Sequence, residues 1–405
     1  MGDFFQNGII TTLSKLGNKD FSGIEEELLE FSKRRNMVLL LPALYSEFEN
    51  PAMQRIIEEL KNVKYIHKII LGLDRASKEQ FVKVKEIMSQ IPYQVDILWN
   101  DGPRIQEIFG FLNKHGFDSI EKRGKGLNVW IMLGYALAEK ENYAIALHDC
   151  DIVNYSREIP AKLFYPIVNP TLTYEFNKGY YSRVTNRLHG RVTRLFYTPL
   201  LKSIKKIFGE NRYIEYLMSF RYALSGEFAL IRSLARGIRI SPTWGLEVST
   251  LSEVYNNTSV KRICQTEIMQ NYEHKHQALG STKSNTGIAR MANEIAQNLF
   301  RLMAQQGMVF TKYDFNSLFS CYFDESRYAI SQYAAISKIN GLEYDRYKEI
   351  LAAEIFQESL KEASIRFLED PLGVPALSSW SNVRSVLPDI GEMLKNAVKE
   401  DKKVK

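Results

Sequence analysis

Met37-Val-Leu-Leu-Leu-Pro-Ala-Leu44 is an unbroken apolar run. A strand with one wet face alternates apolar and polar residues, whereas a strand covered on both faces by helices reads as continuous hydrophobicity. The run therefore points to a buried parallel strand, and its surroundings agree. Gly23 to Arg35 has the spacing of an amphipathic helix leading into it. Pro51 to Lys61 has the spacing of a helix leaving it, with Asn50 expected as N-cap and Pro51 at the first helical position. Tyr65 to Leu73 reads as a second strand, Lys78 to Met88 as a helix, Gln94 to Trp99 as a strand and Pro103 to Asn113 as a helix. A break at Arg123-Gly-Lys-Gly126 precedes a helix over Leu127 to Glu139 and a strand over Tyr143 to Leu147. Regular exchange of strand and helix predicts an α/β fold, a parallel sheet with right-handed crossovers.

Beyond Asp151 the pattern loosens. Leu172 to Phe176 is a candidate strand, a helix is expected near Asn211 to Ser219, and from Asn285 the chain reads as almost wholly helical, with apolar stripes over Ile288 to Gln305 and Tyr344 to Phe367 and a charged tail at Lys395 to Lys405. The predicted organisation is an N-terminal helical segment (1–35), a sheet domain (36–280, with halves 36–155 and 156–280) and a helical C-terminal region (281–405). The long stripes offer more apolar surface than one domain face needs, so a homodimer is expected.

The 405 residues are 45% apolar and 25% charged, an ordinary globular balance with material for a sizeable core. Leu127 to Ala138, the longest nearly apolar run, is short of the roughly 20 residues that span a bilayer. No apolar segment follows a basic start, so the expectation is a soluble, unsecreted protein with no membrane partner. Cys150, Cys264 and Cys321 are scattered without metal-like spacing, which suits a reducing cytoplasm. The net charge is +6, yet eight of the 53 Lys and Arg lie between Phe176 and Gly209, where there is no acid; the remaining 45 face 47 acidic residues. The basic excess is thus one local patch, sized for a small anion. A nucleic-acid-binding protein using the patch is the rival reading, and its affinity would fall steeply with salt.

The chemistry-bearing residues begin where the Tyr143 to Leu147 strand ends, in Ala146-Leu-His-Asp-Cys-Asp-Ile-Val-Asn154. Residues two apart on an extended chain face the same side, so Asp149 and Asp151 can present both carboxylates to one hard divalent cation. The plainer alternative is a pair of aspartates capping a turn. Ligands of open parallel sheets bind outside the carboxyl ends of the strands, where this pair lies. Lys125 stands between two glycines, which lack the bulk to keep a diphosphate away; a simple turn before a helix is the alternative. Arg191 can grip a phosphate or carboxylate bidentately and Thr193 adds a hydroxyl, unless the segment is a solvated basic face. Glu227, in Leu224-Ser-Gly-Glu227, is a further candidate, or a structural glutamate.

Pro42-Ala-Leu-Tyr-Ser-Glu47, Gly124-Lys-Gly126, Asp149-Cys-Asp151, Gly190-Arg-Val-Thr193, Leu224-Ser-Gly-Glu227, Trp244-Gly-Leu-Glu247 and Glu273-His274 occur in the order seen in glucosyl-3-phosphoglycerate synthases, and the chain from about Met37 to His276 resembles that family of retaining glycosyltransferases (family 81). The resemblance implies a GT-A fold, the Rossmann-like sheet of nucleotide-diphospho-sugar transferases, with a mostly helical C-terminal extension. It implies NDP-glucose, with UDP-glucose first, and 3-phosphoglycerate as substrates, and Mg2+ or Mn2+ as cofactor. By the same resemblance Pro42, Ala43, Leu44 and Glu47 hold the nucleotide and Lys125 the diphosphate. Asp149 and Asp151, with Cys150 between them, meet ribose and metal, and His274 completes the metal set. Leu224 and Glu227 meet the donor sugar, while Gly190, Arg191 and Thr193 cradle the acceptor. Asp151, Glu227 and Lys125 are the expected catalytic residues.

Two departures stand out. Cys150 replaces the usual serine, and His276 stands where an asparagine contacting the acceptor is expected. A mannosyl-3-phosphoglycerate synthase using GDP-mannose is the nearest alternative. A nucleotidyltransferase would carry a glycine-rich loop after the first strand, and Pro42 to Glu49 has no glycine.

Overall fold

The computed structural model describes residues 6, 8–16, 21–271 and 287–405. Strand β1 (Thr11–Leu13) and helix α1 (Ser22–Ser32) precede β2 (Asn36–Leu44), α2 (Pro51–Leu60), β3 (Lys68–Asp74), α3 (Lys78–Met88) and β4 (Val95–Trp99). Then come α4 (Pro103–Lys114), α5 (Lys125–Ala138), β5 (Asn142–Leu147), α6 (Glu158–Val168) and β6 (Phe176–Ser182). After these lie α7 (Thr198–Phe208), α8 (Arg212–Ser219), β7 (Phe228–Ile231), α9 (Arg232–Gly237), α10 (Leu246–Asn257) and β8 (Ile263–Asn271). The C-terminal helices are α11 (Gly287–Gln305), α12 (Lys312–Ile339), α13 (Arg346–Glu369), α14 (Trp380–Val386) and α15 (Ile390–Asp401).

The strands form one sheet in the order β1-β8-β6-β7-β5-β2-β3-β4. All neighbours pair parallel except β7, which runs antiparallel to both β5 and β6. The continuous apolar run is indeed central: Met37 to Leu41 are fully buried, with helices covering both faces of the sheet. Sequence spacing locates α2 to α5 and β2 to β5 to within a few residues. It misses β1, which pairs with β8 inside the stretch expected to be helical, and β7, whose four residues are too short to carry a pattern. The strand expected over Leu172 to Phe176 begins only at Phe176. Asn177 and Lys178 disguise β6 as polar, although both are buried, with Asn177 donating to the carbonyls of Lys162 and Leu163 at 3.0 Å. Asn50 does not cap α2 through its side chain. The chain enters α2 from a tight turn over Tyr45–Glu49, and the Asn50 amide donates back to the Ser46 carbonyl at 2.8 Å.

The C-terminal helices wrap the sheet domain. α5 is buried all round because its outer side meets α15 and, through Trp130 and Gly134, Trp380 at the start of α14. Trp130 and Trp380 stack with centroids 4.3 Å apart, and each indole N–H finds a carbonyl, of Ser378 at 2.7 Å and of Trp130 at 2.8 Å. Such a pair adds about 0.5–1.5 kcal/mol beyond its buried area. The charged tail is not loose: Asp401 pairs with Arg104 at 2.6 Å, and Lys402 with the buried Asp96. Among the described residues no helix is long and apolar enough to cross a membrane.

Candidate active site

Three strand ends meet at the carboxyl edge of the sheet. β5 ends at Leu147 and delivers Asp149 and Asp151. β2 ends at Leu44 and runs into the Tyr45–Glu49 turn carrying Glu47, while the antiparallel β7 is entered through Ser225-Gly226-Glu227. Since β7 runs against β5, the turn before β7 lies beside the end of β5. A Cβ on Gly226 would sit 2.6 Å from both Asp149 carboxylate oxygens, so only glycine lets the two loops approach this closely. The N-terminus of α5 adds Lys125, whose Nζ lies 2.5 Å from Asp149 Oδ1 and 3.3 Å from Glu247 Oε1.

Electrostatics bind these residues into one cluster. Burial raises the Asp151 carboxyl to about 7, helped by the negative charges of Asp149 and Glu47 and opposed by Lys125. Burial works against the charge on Lys125, but Asp149, Glu247 and Glu227 outweigh it and hold the ammonium well above its usual range. Below the cluster Lys178 donates to the Ser225 carbonyl, and burial brings it down to about 8 against the pull of Glu247 and Glu227. Five carboxylates, Glu47, Asp149, Asp151, Glu227 and Glu247, thus gather around one lysine with a second beneath, and the oxygen-rich set fits a hard divalent cation. Asp149 and Asp151 would hold it. Among the described residues no group of three or more His, Cys, Asp or Glu side chains forms a metal cage. His274, the expected third ligand, lies outside the described residues, as does His276.

The support beneath the pair is specific. His148 is fully buried, and burial lowers its imidazole to about 4. Its Nδ1 lies 2.9 Å from the Asp149 carbonyl, which can only accept, so Nδ1 carries the proton; Tyr155 Oη then donates to Nε2 at 3.0 Å. Cys150 is buried in the core, and burial, with the charges of Asp149 and Asp151, raises its pKa. Of the nucleotide-loop residues, Pro42 and Ala43 close β2 and Leu44 is exposed; Leu44 pairs with Asp74 at the end of β3. Burial pushes Asp74 up to about 6 as it accepts from Asn100 at 2.8 Å. Arg75 next to it has φ +56, the left-handed region a non-glycine residue rarely takes.

Lys125's flanking glycines need correction. A Cβ on Gly124 would lie 2.6 Å from the Pro242 carbonyl oxygen, and one on Gly126 would lie 1.9 Å from that of Ser241. Their smallness is used by the close approach of this neighbouring backbone, which alone demands glycine at both positions.

On the side expected to take the acceptor, Gly190 has φ +74, which favours glycine, and opens a π-helical turn over Val192–Tyr197 that bears Thr193 and continues into α7. Arg191 Nε donates to Glu349 Oε1 of α13 at 2.7 Å. Glu227, Tyr181, Tyr222 and Thr193 form a chain of contacts from the turn before β7 to the Gly190 turn. Tyr181 donates to Glu227 Oε2 at 2.8 Å, the tyrosine rings meet edge-on at 5.0 Å, and Tyr222 is hydrogen-bonded by Arg183 and Thr193. Leu224 is buried in the core at the start of this turn. Sequence reasoning gave no role to Lys178, Tyr181, Tyr222 or Glu349, and quoted Glu247 only as part of a motif. The acid-free basic segment is not a free positive patch: Glu349 meets Arg191 and Arg194, and Glu325 meets Lys206.

An open, mostly parallel sheet with an aspartate pair and a lysine at its carboxyl edge is the frame of a glycosyltransferase acting on a nucleotide-bound sugar. No family model matches the chain. It is 59% identical over 401 residues, 99% of each chain, to a glucosyl-3-phosphoglycerate synthase of Persephonella marina. With that of Methanococcoides burtonii it shares 37% over 410 residues, covering 99% of this chain and 98% of the other. The chain belongs to the glucosyl-3-phosphoglycerate synthase family. In fold it is similar to a Mycobacterium tuberculosis glucosyl-3-phosphoglycerate synthase, at 19% identity and TM-score 0.53, covering 72% of this chain and 87% of that one. That enzyme was solved in complex with Mn2+, UDP-glucose and phosphoglyceric acid, and another of its structures holds Mg2+ and UDP.

Proposed function

We propose that the chain transfers glucose from UDP-glucose to the 2-hydroxyl of 3-phospho-D-glycerate with retention at the anomeric carbon. The observation that carries this reading is the Lys125–Asp149–Asp151 cluster at the end of β5, an excess of carboxylate held ready for a cation and a diphosphate. The names of the relatives support the glucosyl product, and the ligands of the M. tuberculosis enzyme support the uridine donor, the acceptor and the metal.

Asp149 and Asp151, with His274, would hold Mg2+ or Mn2+, which when bound supplies a Lewis acid for the charge building on the leaving diphosphate. Lys125 adds a fixed positive charge at the same place, and a charge already oriented needs no rearrangement as the bond breaks. Pro42, Ala43, Leu44 and Glu47 hold the nucleotide, and Glu227, fixed by Tyr181, takes the sugar hydroxyls. Gly190, Arg191, Thr193 and His276 orient the doubly anionic acceptor. Its 2-hydroxyl oxygen bonds to the anomeric carbon on the face from which the diphosphate departs. The carbon–oxygen bond to the diphosphate breaks with both electrons, and the hydroxyl proton passes to a diphosphate oxygen.

The test is product mass after incubation with Mg2+, 3-phosphoglycerate and UDP-glucose, GDP-glucose or GDP-mannose in separate reactions. Glucosyl-3-phosphoglycerate from UDP-glucose, lost with EDTA and in Asp151→Ala, is expected. Turnover of GDP-mannose alone would overturn the donor assignment, and nucleoside diphosphate release independent of 3-phosphoglycerate would overturn the acceptor.

A further inference from the structure

We propose that Glu349, on the C-terminal helical hairpin, is a positioning residue for the acceptor: its carboxylate turns the Arg191 guanidinium so that the Nη groups face the acceptor's anionic end. The inference rests on the assignment of Arg191 to acceptor recognition, and it makes α12 and α13 a wall of the acceptor site.

Glu349 is 4% exposed and lies 158 residues from Arg191 along the chain. It bridges two guanidiniums, Oε1 accepting from Arg191 Nε at 2.7 Å and Oε2 from Arg194 Nη1 at 2.9 Å. The two arginines then differ. Arg194 is consumed by the fold: Nε donates to the His189 carbonyl at 2.8 Å and its guanidinium lies 4.7 Å over the Tyr333 ring. Arg191 has a side chain 30% exposed and is held through Nε alone. Among the described residues its two Nη groups have no hydrogen-bond partner. A guanidinium is planar with five N–H donors. Fixing Nε fixes the plane and leaves four donors on the two Nη atoms, the fork that grips a phosphate or carboxylate through parallel bonds.

The hairpin is tied to the acceptor loop at other points. The Glu343 amide, between α12 and α13, donates to the Asn186 carbonyl at 2.8 Å, with Arg187 paired to Glu343 as a parallel bridge. Tyr322 of α12 donates to the Leu195 carbonyl at 2.8 Å. One carboxylate on two guanidiniums leaves a net positive charge, and the contacts place it at the partly exposed Arg191.

Steady-state kinetics on the full chain with metal and saturating UDP-glucose test this. In Glu349→Gln the KM for 3-phosphoglycerate is expected to rise about tenfold while kcat and the KM for UDP-glucose move less than about threefold, because a loosened arginine weakens one substrate only. Arg191→Gln should raise the same KM at least as far, and the double variant should be no worse than Arg191→Gln, as expected of residues acting as a unit. If Arg191→Gln raises the KM and Glu349→Gln leaves it unchanged or lowers it, Glu349 is a counter-charge and the inference falls alone. If Arg191→Gln leaves the KM unchanged, the acceptor assignment falls and takes the inference with it. Should Glu349→Gln not fold, Glu349→Asp, which keeps the charge and draws it back by one methylene, is expected to raise the KM for 3-phosphoglycerate; a wild-type value would overturn the proposal.

Discussion

Removing the Asp151 carboxylate should make the metal-free protein more stable. Asp151 is raised from 3.8 to about 7 by burial and by Asp149 and Glu47, so between pH 4 and 7 the folded chain holds a proton that the unfolded chain has released. Stability therefore falls as pH rises through that window, and above pH 7 the ionised Asp151 imposes its whole cost. The interval from 3.8 to about 7, at about 1.4 kcal/mol per pH unit, is at most about 4 kcal/mol. An unfolding entropy of about 2.1 cal/mol/K per residue over this chain turns that into roughly 5 °C. Asp151→Asn cannot ionise. In EDTA at pH 8 it should melt up to about 5 °C above wild type, and near pH 4 the two should converge. Mn2+ should close most of the gap, since a cation bound at 100 times its Kd stabilises wild type by about 2.7 kcal/mol and at 1,000 times by about 4.1 kcal/mol, and the variant far less. Thermal unfolding across pH with and without metal measures all of this. An Asp151→Asn protein no more stable than wild type in EDTA at pH 8 would refute the picture of mutually repelling carboxylates.

Gly226→Ala places a methyl 2.6 Å from both Asp149 oxygens; the displaced carboxylate should cost about 10²-fold in kcat/KM and weaken metal-dependent stabilisation, and full activity would show that the loops part easily. His148 is lowered to about 4 by burial, so the unfolded chain takes up a proton between pH 6.5 and 4 that the folded chain does not, and up to about 3 kcal/mol of stability is lost as pH falls through that window. Because Asp151 acts in the opposite sense over the same window, the readout is the stability difference between wild type and His148→Gln in denaturant titrations, which should move against wild type by that amount as pH falls from 6.5 to 4; a difference that does not change with pH would refute it. Ile339 and Tyr347 stand 86% and 75% exposed on α12 and α13, so light scattering should give twice 46.8 kDa, with Ile339→Asp reducing the mass to one chain; a monomeric wild type would refute the dimer.

The sheet was legible because strands such as β2 are buried on both faces and therefore apolar throughout, and because Asn142 to Leu147 runs straight into His148-Asp149-Cys150-Asp151 at the sheet's carboxyl edge. β6 was not: Asn177 and Lys178 are polar residues satisfied inside the core, which a hydrophobicity pattern reads as a loop. The aspartate pair was legible as residues two apart on an extended chain. Its supports were less so, because Gly226 and Glu247 meet Asp149 and Lys125 only through the antiparallel strand and the return of the chain at α10. Glycines flanking Lys125 suggested room for a ligand, but close packing of two backbone segments demands the same residue. Only the fold tells the two uses apart.

Charge was the most misleading local signal. Counting along Phe176 to Gly209 finds eight cations and no anion, yet a buried glutamate on α13 and another on α12 pair with three of those cations from far along the chain. What such pairing spares is the more informative quantity. Arg194 and Lys178 are enclosed, whereas Arg191 keeps one side of its guanidinium outward at the mouth of the Gly190 turn. The Glu227, Tyr181, Tyr222 and Thr193 contacts lead from that turn back to the carboxylates at the end of β5. The acceptor side is therefore shaped from two directions, by the donor cluster through the tyrosines and by the C-terminal helices through Glu349. A helical region that seemed an addition to the catalytic sheet thus bears on where the second substrate's charge can rest.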